Sequence, residues 1–273
     1  MCGRFTLVGG PAGIQLAFPG VEIPEELTAR YNIAPSQAVA VVRNTGANRV
    51  ELLRWGLIPS WAKDPAIGNR LINARAETLA VKPAFRSAFR RRRCLILADG
   101  FYEWRKETLP GSPRPAGAPA LARASGPGRH RQGSGTPQDG RLKTPLYFRL
   151  KSGLPFAFAG LWEEWQPPDG EPWLSCTIVT TTPNSLLETV HNRMPVILPP
   201  ASYTQWLDPA EQDPASLSAL LGPYPAGDME GYAVSTVVND PRNDVAECIV
   251  PQTDPKGFHA DPRQGTKPLG SMG

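Results

Sequence analysis

Short apolar runs recur along the chain, separated by clusters of Gly, Pro, Asn and Asp. They predict strands over 38–43 (AVAVVR), 49–55 (RVELLRW), 93–104 (RCLILADGFYEW), 145–150 (PLYFRL), 156–162 (FAFAGLW), 175–182 (SCTIVTTT) and 232–238 (YAVSTVV). The run from Cys94 to Ala98 is apolar on both faces, as a central strand requires. Helices are predicted over 10–18, 64–69, 75–80, 83–89, 183–191, 200–207 and 214–221. In the fifth of these, Thr182 is the expected N-cap and Pro183 the first helical residue. Strand and helix do not alternate strictly, which disfavours a doubly wound parallel sheet. The expectation is a single α+β domain with a curved, mostly antiparallel sheet or open barrel flanked by short helices.

The pattern lapses over 108–142, a stretch of Gly, Pro, Ser, Ala and Arg with almost no large apolar side chain. Such a composition buries too little surface to offset the entropy of ordering it. It reads as a flexible insertion in a domain spanning 2–250, with 251–273 as a loose tail. The insertion also accounts for the charge. The chain carries a formal +4, and from Glu107 to Lys143 six basic residues face two acidic ones, so the remainder is close to neutral. A pI near 9.0 is therefore weak evidence for nucleic-acid binding, and local patches must carry that argument. No apolar run approaches the roughly 18 residues of a membrane span. No signal peptide is visible at the N-terminus, which makes the expected location cytoplasmic, nucleoid-associated.

The four cysteines form no C-x-x-C pair. Cys94, Cys176 and Cys248 lie in strand-like runs and read as buried thiols, with no disulfide framework and no zinc site. Cys2 is different. Loss of Met1 leaves a residue bearing both a free α-amine and a thiol, a pair no internal cysteine offers. Of the three histidines, His130 falls in the insertion and His259 in the tail, leaving His191 in the foldable part. It reads either as a helix-end residue favoured by the macrodipole or as a general acid/base. Glu103 in DGFYEW is a carboxylate among aromatics, a setting that raises a pKa. NARAET groups Asn73, Arg75 and Glu77, side chains suited to a sugar oxygen and a phosphate, or simply to a helix start. Trp55 and Trp61 are core residues or a stacking surface for bases. The basic run SAFRRRRC reads as a solvated turn, or as a phosphate-binding edge. No glycine-rich phosphate loop and no G-x-S-x-G elbow is present, which disfavours a kinase or a serine hydrolase.

In order, MCGRF at 1–5, RYNIAP at 30–35, RWGLIPSWAKD at 54–64, INARAET at 72–78, RRCLILADGFYEW at 92–104 and HNRMPVIL at 191–198 resemble the SRAP family of abasic-site processing proteins. The YedK-like and HMCES proteins belong to that family. The resemblance runs from residue 2 to about residue 250, apart from the insertion. It implies binding of single-stranded DNA and a covalent thiazolidine crosslink to abasic sites through the terminal cysteine, in the DNA damage and SOS response. AP-lyase activity and self-cleavage of Met1 are also implied. On the matching positions, Cys2 would be the nucleophile, Asn73 and Glu103 would line the site, and His191 would be the acid/base. Arg4, Asn32, Arg75 and Thr180 would contact sugar and phosphates, and Pro35 and Trp61 would shape the wedge where bases part. No cofactor or metal is implied, and the expected state is a monomer. Two departures stand out: the insertion itself, and Asn192 where many members carry Asp before the Arg-Met-Pro.

The residues agree with that chemistry. An α-amine with a pKa of roughly 7.7–8.0 is partly neutral at pH 7 and can attack the ring-opened sugar aldehyde. The thiol then closes a five-membered ring intramolecularly. Two rival readings remain at this level. An N-terminal-nucleophile amidohydrolase also uses a terminal Cys-Gly, and a non-covalent nucleic-acid reader would use the same cleft without forming a bond.

Overall fold

The computed structural model describes residues 2–106 and 143–254; the expected insertion, His130 and His259 lie outside the described residues. Thirteen strands form two sheets among these residues. One sheet is a barrel. Strands β3 (Ala38–Arg43), β4 (Val50–Trp55), β6 (Arg93–Ala98), β9 (Phe156–Trp165) and β10 (Trp173–Thr181) follow one another in the order β10-β4-β3-β6-β9, and β9 pairs back onto β10. The expected curved sheet thus closes completely, so the barrel is not open. All pairings within it are antiparallel except β4 with β10. Six consecutive buried positions in β6 confirm the central strand that its uninterrupted apolar run predicts.

The second sheet has the order β13-β8-β7-β1-β2, formed by Met229–Ala233, Lys143–Leu150, Gly100–Lys106, Arg4–Leu7 and Arg30–Ile33. Here the structure corrects the predicted strand 93–104, which is two strands. Asp99 divides them, because its carboxylate turns aside to accept from Thr6 Oγ1 (2.5 Å), Gly9 N (2.8 Å) and Val8 N. The chain crosses there from barrel to sheet. Gly100 is required at the crossing, since a Cβ would lie 2.2 Å from the Tyr147 ring. The N-terminal strand is pinned from the other side by Phe5. Its ring is fully buried and meets Trp55 at 5.1 Å and Phe158 at 5.7 Å, inside the barrel core. Burying such a ring contributes about 2–3 kcal/mol.

Helices are short. Besides α1 (Pro11–Ala17), α2 (Arg86–Arg91), α3 (Tyr203–Leu207) and α4 (Pro214–Ser218), several predicted helices are 3-10 turns, among them Pro65–Arg70 and Ala76–Thr78. The predicted helix 183–191 is a run of turns. Asn184 is the residue that caps it, its Oδ1 accepting from the backbone of Leu186 and Leu187 (both 3.1 Å), and the following bonds return over three and four residues without propagating. Residues 73–75 form the short strand β5 (Asn73–Arg75) rather than a helix start, because β10 offers them a free edge. Predicted strand 232–238 ends at Ala233, and Thr236–Asn239 is a 3-10 turn. The chain also stays anchored beyond residue 250. Gln252 N donates to Ala233 O (2.8 Å), and the buried Asp254 forms a bidentate pair with Arg105 (2.9 and 3.0 Å).

Candidate functional site

Strand β10 is the spine of the site. Its first half belongs to the barrel wall, while its C-terminal residues are flanked by β5 on one edge and by β11 (Met194–Pro195) on the other. The β5 ladder sets Asn73 beside Ile178 and Arg75 beside Thr180. The β11 ladder sets Pro195 beside Thr180, which delivers the 191–193 segment to the same strand end. From the other sheet, β1 pairs with β7 so that Arg4 faces Tyr102, which brings the start of the chain alongside the strand that carries Glu103.

Cys2 is completely buried, unlike the exposed end that its position suggests. Asn73 Nδ2 donates to the Cys2 carbonyl at 2.8 Å, and the Cys2 thiol points back at the Arg4 carbonyl, 3.7 Å away. Burial pushes the thiol well above its usual pKa, and the charge of Glu103 adds to the rise. Glu103 is itself buried at 4% exposure. Burial raises its carboxyl to about 7, with the positive charge of the chain's amino terminus acting in the opposite direction. Asn73 Oδ1 is buried and has no partner among the described residues. Cys2, Asn73 and Glu103 therefore converge on one point, with a neutral thiol and a carboxyl that changes state near neutral pH.

His191 is held at the adjoining strand end. Its Nδ1 accepts the Arg193 backbone N–H at 3.0 Å, which places the proton of the neutral ring on Nε2. The Arg193 carbonyl, 3.3 Å from the same Nδ1, supplies an acceptor for the protonated ring. The backbone of residue 193 thus orients the imidazole, and Asn192 is exposed. The Arg193 guanidinium forms a fork onto Glu77 (2.6 and 3.0 Å) and also donates to the Thr180 carbonyl. Glu77 was legible in the sequence only as a neighbour of Arg75. That Arg193 would bridge β10 to Glu77 had no local signal, because the partners lie 116 positions apart.

Arg4 and Asn32 form a second node. Arg4 Nη1 donates to Asn32 Oδ1 (2.7 Å) and Val238 O (2.8 Å), and its guanidinium lies 6.0 Å from the Trp104 ring centroid. Asn32 is fully buried, its Nδ2 facing the carbonyls of Val238, Asp240 and Asn243 at 2.8–3.2 Å. Asp244 accepts from the backbone of Tyr31 and Asn32. The Asx-rich stretch VVNDPRND is the sequence signal for this gripping loop. Thr180 is buried, with its hydroxyl 3.4 Å from Ala74 O. Arg75 is exposed, and Pro35 is half-buried. Trp61 is 59% exposed, on a loop seated by Trp165, whose Nε1 donates to Ala62 O at 2.7 Å. Ser36, next to Pro35, donates to Asn69 downstream of that loop (3.2 Å). Trp55 is a core residue, not a stacking surface. Cys94, Cys176 and Cys248 are buried and free. Among the described residues no group of His, Cys, Asp and Glu is arranged to hold a metal ion, and no helix is long and apolar enough to cross a membrane.

This arrangement, with its N-terminal cysteine at the junction of a closed barrel and a second sheet, defines a class to which sequence comparison assigns the chain. Residues 1–116 and 136–241 match the model of the SOS response associated peptidase (SRAP) family, and the chain belongs to that family. The unmatched gap falls within the expected insertion. Among curated relatives, abasic site processing protein YoqW of Bacillus subtilis (strain 168) is 44% identical over 252 residues, covering 91% of this chain and 99% of that protein. Abasic site processing protein HMCES of Gallus gallus is 34% identical over 73% of this chain and 56% of its own length. A crystal structure of a protein from Bacteroides thetaiotaomicron superposes with a TM-score of 0.71 at 23% identity, covering 92% of this chain and all of that one. It shares the fold.

Proposed function

We propose that this protein processes abasic sites in single-stranded DNA by forming a thiazolidine crosslink through Cys2 once Met1 has been removed. The observation that carries this reading is the convergence of a buried Cys2, whose carbonyl Asn73 holds at 2.8 Å, with a Glu103 carboxyl raised to about 7. A neutral, buried thiol is a weak first nucleophile. The α-amine therefore attacks first, adding to the ring-opened sugar aldehyde and losing water to form an imine. The Cys2 sulfur then bonds to the imine carbon, and the thiol proton passes to the nitrogen to complete the ring. No oxidant or reductant enters. Glu103, ionised and protonated in comparable amounts near neutrality, takes the proton from the amine and returns it at dehydration. His191, with its proton on Nε2, donates to the ring oxygen of the sugar as it opens. The unpartnered Asn73 Oδ1 accepts from the bound sugar or the amine. Removal of Met1 is a hydrolysis of the 1–2 peptide bond, and the peptidase named for the family fits that step. An imine that does not close its ring is open to β-elimination, the source of AP-lyase activity.

Support comes also from the relatives named for abasic-site processing, which align over nearly the whole chain. The test is incubation with a single-stranded oligonucleotide carrying one abasic site, followed by a denaturing gel. A shifted band is expected from the wild type and none from Cys2→Ala, whose amine still yields a borohydride-trappable imine. A stable band from Cys2→Ala, or no band from the wild type, overturns the reading.

A further inference from the structure

The basic run SAFRRRRC is not one feature in three dimensions. Arg93 is fully buried, its guanidinium bonded to the carbonyls of Trp206, Phe89, Arg90 and Asp208. Arg92 pairs with Glu163 at 2.7 Å. These two serve the fold. Arg90 and Arg91 instead face solvent, as do Arg86 and Lys82.

Helical bonding begins before α2, with Arg86 N donating to Lys82 O at 2.9 Å. Arg86 and Arg90 share one face of α2, about 6 Å apart along the axis, and Lys82 lies in the turn that leads into it. Phe85, Ala88 and Phe89 are buried beside them. Among the described residues, none of Lys82, Arg86, Arg90 and Arg91 forms an ion pair. Arg90 and Arg91 complement the dipole at the end of α2, but like charges at four-residue spacing repel one another, and a polyanion would relieve that repulsion. The position of these cations points to which polyanion. Asn73, on the Cys2 carbonyl, begins β5, which ends at the exposed Arg75. The 3-10 turn Ala76–Thr78 follows at once, and Lys82 N bonds back to Thr78 O (3.0 Å). Exposed cations thus recur along the chain as it leaves the candidate site, at Arg75, Lys82, Arg86 and Arg90.

We infer that Lys82, Arg86 and Arg90 form a phosphate-tracking site for the strand flanking the abasic nucleotide. The ligand class is the sugar–phosphate backbone of DNA, bound without base readout. This rests on the reading of the Cys2 site given above.

The test compares wild type with the triple variant Lys82→Ala/Arg86→Ala/Arg90→Ala, using Lys82→Arg/Arg86→Lys/Arg90→Lys as the charge-preserving control. Probes are a short oligonucleotide with the abasic site and a few nucleotides around it, and long ones extended on the 5′ or the 3′ side only. The triple variant should crosslink the short probe at the wild-type rate. It should bind one extended probe at least tenfold more weakly at low salt, with the log–log salt slope reduced by about 2, at roughly 0.7 per single-strand phosphate contact. The control should restore both. Equal affinity and slope on every probe overturns the inference, as does an equal loss on the short probe. Competition by poly-glutamate as effective, per charge, as by undamaged DNA also overturns it. If the wild type crosslinks no probe, the Cys2 reading has failed, and binding of long undamaged DNA still decides the stripe by its salt slope.

Discussion

Asn73 holds the backbone of Cys2, donating from Nδ2 to the Cys2 carbonyl at 2.8 Å across 71 positions of sequence. The bond ties the N-terminal segment of one sheet to a strand on the edge of the barrel, so Cys2 is placed by two layers at once. Asn73→Ala should leave the fold intact, with a stability loss of about 1 kcal/mol, the net value of one hydrogen bond. The crosslinking rate should fall at least tenfold, as expected when a reacting group is released from its geometry. Single-turnover gel kinetics alongside denaturant unfolding checks both, and an unchanged rate would remove Asn73 from the site.

Glu103 makes stability depend on pH. Burial raises its folded pKa to about 7 from the 4.5 of an ordinary glutamate, so between those values the folded chain binds more protons than the unfolded one. Stability is then fully present below the unfolded pKa and is lost as pH rises through 7. Glu103→Gln removes this dependence. Relative to wild type it should become more stable by on the order of 3 kcal/mol between about pH 4.5 and about pH 8. Denaturant melts across that range measure it, and parallel curves for the two proteins would contradict the buried carboxyl. Crosslinking by the wild type should rise through the same interval as the base form appears.

Asn32 ties the 238–244 loop to β2 and, through Arg4, to β1. Asn32→Ala leaves the Asp240 and Asn243 carbonyls without the Asn32 amide and one N–H of Arg4 Nη1 unsatisfied, the other still bonding Val238 O. A loss of about 3 kcal/mol is expected, visible as a lower thermal midpoint and early hydrogen exchange in 238–244.

Glu77 and Arg193 make a bidentate pair in which Glu77 is 49% exposed. Its contribution to stability should be under about 1 kcal/mol. Glu77→Gln should therefore melt close to wild type, yet loosen Arg193, which keeps its bond to the Thr180 carbonyl and whose backbone orients His191. A shifted pH–rate profile at unchanged melting temperature is the expected signature; a profile identical to wild type would leave the pair a surface contact.

Much of the barrel was legible in the sequence because its strands are uninterrupted apolar runs bounded by turn residues. The boundaries of β3 coincide with the prediction at 38–43. Asp99 was not legible as a strand break, since its partners Thr6, Val8 and Gly9 are some 90 positions away. Nor was the turn structure of 183–191, where proline and leucine spacing mimics a helix and Asn184 captures the backbone instead. β5 escaped notice because three residues carry no periodicity and become a strand only when β10 lends an edge.

By itself, the sequence determined the α+β class, the buried thiols and the order of the motifs, because hydrophobic periodicity and residue chemistry are local properties. The tertiary structure decided what those motifs do together. It sealed the barrel through the β9–β10 pairing, buried Cys2 beneath Asn73 and Glu103, and divided one run of arginines among a buried cation, an ion pair and an exposed stripe. The reason is physical. A pKa, a desolvated thiol and an unpaired charge depend on which distant groups surround a residue, and packing alone sets those neighbours.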